Sequence, residues 1–221
     1  MTGVSGNLYW SEISRASLET LAMLGGSLAL TILFGLPLGI LLFLTSPGQP
    51  WASRAASGLL GFAVNLLRAV PFIILLIVMI PLTVLLVGTS LGVLGAIPPL
   101  VVGAAPFFAR LVETALREVD RSTVQAVQAM GATTRELVLL ALLPEALPGI
   151  VAGITITAIT LVSFTAMAGV VGAGGLGDLA IRFGYQRFQT DVMIVTVVLL
   201  LLLVQCLQMM GDRLVRYFSH R

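Results

Sequence analysis

Two ionisable residues, Arg110 and Glu113, have types and a spacing that could carry chemistry. They lie three positions apart at the end of a long apolar stretch, which is pairing distance on one face of a helix. An ion pair, or contact with a helix outside the membrane, is favoured over the alternative of substrate binding. Cys206, the single cysteine, lies in an apolar run, and His220, the single histidine, is next to last in the sequence. The sequence therefore predicts no catalytic group and no metal site.

The sequence also lacks a phosphate-binding loop. All twelve basic residues are arginine, so the lysine that such a loop needs is missing. We therefore expect the chain not to bind ATP, and any ATP-derived energy must come from another polypeptide. The stretch GAGGLG (172–177) superficially resembles dinucleotide-binding glycines, but it follows an apolar helical run and not a strand, which argues against that function. A net charge of +2 gives no reason to expect a nucleic acid partner.

Membrane-spanning helices are the elements that must position these residues. The 221-residue chain is 58% hydrophobic and only 10% charged, whereas soluble domains are about 25% charged. Apolar runs of the length needed to cross a bilayer divide the chain into five predicted spans. They cover about residues 21–44, 66–87, 96–116, 149–168 and 192–211. We expect an all-α polytopic membrane protein with a single transmembrane domain over residues 1–221, its core at about 17–211.

Arginines are distributed unevenly between the two sets of connecting segments. The set richer in arginine is expected in the cytoplasm. Eight arginines fall in one set: Arg54, Arg68, Arg117, Arg121, Arg135, Arg213, Arg216 and Arg221. The other set holds three: Arg15, Arg182 and Arg187. This predicts a periplasmic N-terminus, a cytoplasmic C-terminus and a cytoplasmic connection, residues 118–148, between the third and fourth spans.

That connection carries several helix-boundary signals. Ser122 and Gln125 have capping-box spacing and predict the start of a helix over about 123–130. Gly131 predicts a left-handed stop. Thr133 and Glu136 repeat the capping spacing and predict a second helix, which Pro144 is expected to end. The sequence thus predicts two short helices joined by a tight Gly-Ala turn outside the lipid.

Three interpretations of these helices remain open on the residues alone. One is a surface connection that happens to be helical. Another is a DNA-binding helix-turn-helix, which is disfavoured because the first helix lacks basic residues. The third is a docking helix, rich in Ala, Val, Gln and Met, that fits a groove on a soluble partner.

The same segment resembles the "EAA" loop of ABC importer permeases. That loop reads Glu-Ala-Ala, three residues, Gly, nine residues, Ile, one residue and Leu-Pro. Here Ala126, Gly131 and Leu143-Pro144 match it, while Gln125, Val127 and Ala141 replace the Glu, the second Ala and the Ile. Residues 68–92, 102–113, 166–188 and 211–221 resemble permease subunits of methionine ABC importers, so that the resemblance covers roughly residues 15–221.

The resemblance implies a type I ABC importer permease fold, with a cytoplasmic coupling helix between helices 3 and 4 that fits a cleft on the ATPase. The implied coupling residues are Ser122, Gln125, Ala126, Met130, Gly131, Ala132, Leu143 and Pro144. It also implies that ATP and magnesium are bound by the partner ATPase, with no cofactor in this chain.

Two further stretches acquire roles from the resemblance. Ser163, Phe164 and Met167 match a region that lines the translocation pathway, where Met167 would act as a hydrophobic gate that closes by dewetting and packing. Ser163 and Thr165 are expected to hydrogen-bond across helices. The glycines Gly172, Gly174, Gly175 and Gly177 either form a flexible turn or allow close approach of an external binding protein.

The function implied is that of a permease subunit importing D- or L-methionine across the inner membrane. Five helices do not easily enclose a path for an amino acid, so we expect a homodimer with the path on its twofold axis. Two ATPase subunits and a periplasmic methionine-binding lipoprotein are the other expected partners, along with membrane lipid. One alternative is a permease of the same fold for another amino acid or a quaternary amine. Another is a stand-alone ion-coupled transporter, which the lack of intramembrane carboxylates and inverted repeats disfavours.

Overall fold

The computed structural model describes the backbone of residues 5–219 and the side chains of residues 10–219; His220 and Arg221 lie outside the described residues. All regular elements within those limits are helices. They are α1 (Ser5–Thr45), α2 (Arg54–Ala69), α3 (Phe72–Val78), α4 (Ile80–Val87), α5 (Gly92–Arg117), α6 (Arg121–Ala129), α7 (Thr134–Glu136), α8 (Leu143–Gly169), α9 (Gly175–Leu179) and α10 (Thr190–Ser219). Two π-helical stretches, Leu137–Leu142 and Ala180–Tyr185, follow α7 and α9.

Long apolar helices confirm the predicted all-α membrane fold. Among the described residues, four helical stretches are long and apolar enough to cross a bilayer. These are Trp10–Thr45, Gly92–Arg117, Thr134–Gly169 and Thr190–Ser219. The pair α2 and α3 is a fifth candidate, bent by 100° at the break between its two helices.

The structure differs from the prediction at the second span, because the single helix predicted over about 66–87 is divided into several helices. Here α2 ends at Ala69, and α3 starts only after Pro71. A residue before proline is pushed out of helical geometry, which accounts for the break at Val70. Gly88 ends α4 in the left-handed region, with φ of +80°.

The fourth span also begins earlier than predicted. The helix that starts at Thr134 continues through the π-helical stretch and α8 to Gly169. The predicted stop at Pro144 is therefore wrong. Pro144 lies inside this continuous helix, directly after the π-helical stretch Leu137–Leu142. Such a local π-helical adjustment lets a membrane helix accommodate a proline, which has no backbone N–H. Just before it, the N–H of Leu143 donates to the carbonyl of Val138, five residues back.

The described chain divides into two compact units, each assembled from three separate segments. The first unit comprises the described part of Met1–Leu30 with Val70–Ala104 and Ala158–Gln208. Its main core includes the fully buried side chains of Met23, Leu100 and Leu161.

The second unit comprises Thr31–Ala69, Ala105–Thr157 and the described part of Met209–Arg221. Phe108, Val112 and Leu116 of α5 form its core together with the buried face of the π-helical stretch Leu137–Leu142. Gly39 of α1 lies so close to α5 that an added Cβ would collide with the Ala109 carbonyl. Small residues permit such close helix approach inside membranes.

Candidate functional site

The segment from Asp120 to Glu136, called the capped segment below, begins at an N-cap. The Asp120 carboxylate accepts hydrogen bonds from the Ser122 backbone N–H at 3.0 Å and from its hydroxyl at 2.8 Å. The predicted capping box of Ser122 with Gln125 is therefore wrong, because α6 already begins at Arg121. The signal was in the sequence, since Asp is a preferred N-cap residue. The Ser122 N–H, and then its hydroxyl, hold the pKa of Asp120 below its ordinary value.

Gly131 ends α6 as the sequence predicts. Its φ is +82°, in the left-handed region, and its N–H donates to the Gln128 carbonyl at 3.0 Å. A Cβ added at Gly131 would meet open space. The requirement for glycine here is therefore one of backbone conformation and not of room.

The second predicted capping box is confirmed. The backbone N–H of Glu136 donates to the Thr133 hydroxyl at 3.3 Å, and the N–H of Thr133 donates to the Glu136 carboxylate at 2.8 Å. The Thr133 hydroxyl also donates to that carboxylate at 2.8 Å. These reciprocal bonds satisfy free N–H groups at the helix start and hold the turn after Gly131 in one geometry.

One face of α6 packs on the core of the second unit, to which the helix belongs, and the other face is open. Val124 and Val127 lie against the cluster that contains the buried Leu137 and Leu142. Met130, which follows α6, is 78% exposed. The result is a short helix, fixed at both ends and anchored along one side, whose other side is open.

The residues predicted for coupling differ in how exposed they are to solvent. Five of them are exposed on the capped segment, and Ala132 is half-buried there. The exposed five are Ser122, Gln125, Ala126, Met130 and Gly131. Leu143 packs against the core of the second unit, and Pro144 is exposed in the first turn of α8.

The predicted pair of Arg110 and Glu113 is confirmed and belongs to a larger network. The Glu113 side chain is 7% exposed and accepts from Arg110 at 2.7 Å and from Arg117 at 2.7 Å. Arg110 also donates to the Gly61 carbonyl at 3.2 Å and to the Asn65 amide oxygen at 3.1 Å. Sequence spacing missed the last two partners because they lie on α2. The network joins α2 to α5 within the second unit.

The three residues predicted to line the pathway all lie near the end of α8. Ser163 and Met167 are exposed, Met167 by 45%. Phe164 is half-buried and stacks on Phe72, with ring centroids 4.2 Å apart. The expected cross-helix bond of Thr165 is wrong, because its buried hydroxyl donates to the Val162 carbonyl of its own helix.

The glycine turn, Gly172–Gly177, is packed against its own chain. Gly172, Gly174 and Gly175 have φ between +80° and +88°. Gly175 and Gly177 are buried, and a Cβ on Gly177 would collide with the Ala166 backbone. Of the four glycines predicted to meet a binding protein, Gly172 alone is exposed, Gly174 being half-buried.

Two side chains of α1 fasten the glycine turn. The Gly175 N–H donates to the Glu19 carboxylate at 2.9 Å, and the Leu176 N–H donates to the Thr20 hydroxyl at 2.9 Å. Both pairs are separated by 156 positions in the sequence. Glu19 and Thr20 could not be identified from the sequence, because nothing local marks residues that cap an element so distant along the chain.

Comparison with known proteins gives consistent matches along the chain. The family described as "Binding-protein-dependent transport system inner membrane component" matches residues 35–221. The chain is 48% identical over 206 residues to the probable D-methionine transport system permease protein MetI of Vibrio cholerae, covering 93% of this chain and 92% of that protein. It is 44% identical over 215 residues to the methionine import system permease protein MetP of Bacillus subtilis, covering 97% of each.

A solved structure gives the same result for the fold. A chain of the MetNI methionine ABC transporter, in an inward-facing conformation, superposes with a TM-score of 0.94 at 48% sequence identity. The superposition covers 96% of this chain and 98% of that chain.

Proposed function

Because the chain belongs to the family of binding-protein-dependent transport system inner membrane components, we propose that it is the permease subunit through which an ATP-driven importer moves methionine into the cell. The observation that carries the proposal is the nearly full-length similarity to two permeases named for methionine transport. As a permease the chain is not itself an enzyme, and ATP hydrolysis belongs to a separate subunit.

The proposed assembly contains two copies of this chain and two ATPase subunits. The twofold axis supplies the second half of a pathway that five spans do not easily enclose. A periplasmic binding protein delivers methionine, in its D or L form, from outside. ATP and magnesium bind to the ATPase. The arginine distribution supports a periplasmic N-terminus and a cytoplasmic C-terminus.

In this proposal the capped segment transmits the movement of the ATPase. Its open α6 surface, which includes Gln125, Ala126 and Met130, inserts into a cleft on that subunit. The anchoring of Val124 and Val127 means that a push on α6 reaches the core of the second unit. Closure of the two ATPases on ATP brings the two capped segments together and turns the pathway from inward-facing to outward-facing.

The gate is assigned to the end of α8. Met167 presents a large apolar side chain without a charge nearby on its helix, which suits closure by packing and dewetting. Ser163 lies one turn earlier, also exposed, and Phe164 is fixed by Phe72. We expect Met167→Ala to raise ATP hydrolysis in the absence of substrate. Contact with the binding protein is assigned to the glycine turn, through Gly172 and Gly174.

Transport in a defined system tests the proposed function. The permease would be reconstituted in proteoliposomes with its ATPase and binding protein, and uptake of radiolabelled L-methionine and D-methionine measured. We expect uptake that requires both partners and ATP, and that either unlabelled form of methionine reduces. Uptake driven by an ion gradient without the ATPase, or competition only by an unrelated amino acid, would contradict the proposal.

A further inference from the structure

An apolar groove in the second unit has no role in the proposed transport cycle. It lies between α1, from Leu36 to Leu44, and the start of the next long helix, from Thr134 to Leu139, with Trp51 also on its wall. Its volume is about 620 Å³, and almost all of its wall is apolar. Leu41, Leu139 and Trp51 are each between 39% and 52% exposed, so the groove is open to its surroundings.

One charged residue, Arg135, lines this groove. It is exposed, and within residues 10–219 its guanidinium has no hydrogen-bond or ion-pair partner. The neighbouring Glu136 carboxylate is already engaged by Thr133. A cation in the first turn of a helix opposes the helix dipole, so Arg135 is not placed there to stabilise its helix.

The apolar wall of the groove indicates which kind of molecule can bind there. A polar metabolite would lose its hydration in a groove with almost no hydrogen-bonding groups, whereas an acyl chain would bury apolar surface. A guanidinium pairs well with phosphate through two parallel hydrogen bonds. Trp51, six positions after the end of α1, is of the type enriched where a membrane protein meets the lipid headgroups.

We propose that this groove binds an anionic phospholipid, with an acyl chain along the apolar wall and the phosphate at Arg135. Charge complementarity is what identifies the ligand as anionic. Because the wall combines α1 with the end of the capped segment and the helical turn that follows it, a bound lipid contacts both. The inference goes beyond the proposed function, since it requires only that the chain lie in a bilayer.

Native mass spectrometry of the purified permease–ATPase complex tests this assignment. The complex would be titrated with phosphatidylglycerol or with phosphatidylcholine. The variant is Arg135→Gln, and the matched control is Arg54→Gln, which removes the same charge from an exposed arginine outside the groove. We expect phosphatidylglycerol to bind more tightly than phosphatidylcholine, and Arg135→Gln to weaken its binding about five-fold, the effect of one basic contact with an anionic membrane. Arg54→Gln should leave it unchanged.

Two further variants distinguish the loss of the contact between Arg135 and the lipid from a general loss of folded protein. Arg135→Lys keeps the charge and should retain most of the binding, while Leu139→Trp should fill the groove and reduce binding of both lipids. Equal effects of Arg135→Gln and Arg54→Gln, or equal affinity for the two lipids, would overturn the proposal. So would efficient Leu139→Cys cross-linking between two permease copies, because the groove would then be covered by protein. None of these measurements involves methionine, so their failure would leave the proposed function intact.

Discussion

The capped segment and the glycine turn both separate helices at glycines in the left-handed region, but they are held in different ways. In the capped segment the hydrogen bonds are local: Asp120 accepts from Ser122, and Thr133 exchanges bonds with Glu136. The glycine turn depends on Glu19 and Thr20, 156 positions away in the sequence.

The location of the hydrogen-bond partners suits the two segments to different tasks, the capped segment to transmitting movement and the glycine turn to holding helices together. A segment whose free N–H groups are satisfied within a few residues keeps its shape while its outer surface stays available to a partner. A segment whose N–H groups are satisfied by another helix is tied to that helix. Substitutions in the capped segment should therefore impair transport more than stability, and substitutions in the glycine turn should do the reverse.

The largest effect is expected from Gly177→Val. Gly177 is buried, and a Cβ there would collide with the rigid backbone of Ala166, so we expect a loss of about 3 kcal/mol in the free energy of unfolding. The measurement is the melting temperature and yield of the purified complex. Gly25→Val is the matched control, because Gly25 is helical and has open space around it. An unchanged melting temperature for Gly177→Val would contradict the claim that tight packing of the glycine turn stabilises the protein.

A smaller loss of stability is expected from Thr20→Val. The substitution keeps the volume but leaves the buried N–H of Leu176 without an acceptor, which costs about 2 kcal/mol. Thermal unfolding should show it, together with faster hydrogen exchange at Leu176. Thr20→Ser keeps the hydroxyl and should behave almost as the wild type. If Val and Ser variants were equally stable, the hydrogen bond would not be what holds the turn.

Gly131→Val should stop transport at a modest cost in stability. A β-branched residue is strained at φ of +82°, by roughly 1–2 kcal/mol, although it has room. The change in chain direction between α6 and α7 would shift, and most ATP-dependent uptake should be lost while the amount of permease in the membrane stays normal. Gly131→Asn is the control, because asparagine tolerates left-handed geometry. Normal uptake by Gly131→Val would remove the coupling role of the segment.

The smallest effect is a pH dependence of the cap at the start of α6. The Ser122 N–H and hydroxyl lower the pKa of Asp120, so the cap stabilises the helix above the ordinary aspartate pKa and is lost as pH falls through the lowered value. Hydrogen-exchange protection of the Ser122 N–H should therefore decline on acidification. Protection at Leu176 should not follow, because its acceptor, a threonine hydroxyl, does not titrate in that range. Parallel loss at both sites would indicate general unfolding.

Features that depend on neighbours within four residues could be predicted from the sequence. The left-handed stop at Gly131, the capping box of Thr133 with Glu136 and the pair of Arg110 with Glu113 are all of this kind. Even there, local signals compete: Asp120 caps α6 in place of Ser122, and Pro144 does not end its helix, because the π-helical stretch before it accommodates the proline.

The sequence by itself determined that the chain is an apolar helical membrane protein with a polar segment, exposed and locally capped, between two of its spans. Hydropathy and capping are properties of short stretches, so they can be read without knowing the fold. Tertiary structure alone decided that Glu19 and Thr20 cap the glycine turn, that Asn65 joins the Arg110 network, and that Arg135 lines an apolar groove. Those contacts join residues far apart in the sequence, and only the packing of the helices brings them within bonding distance.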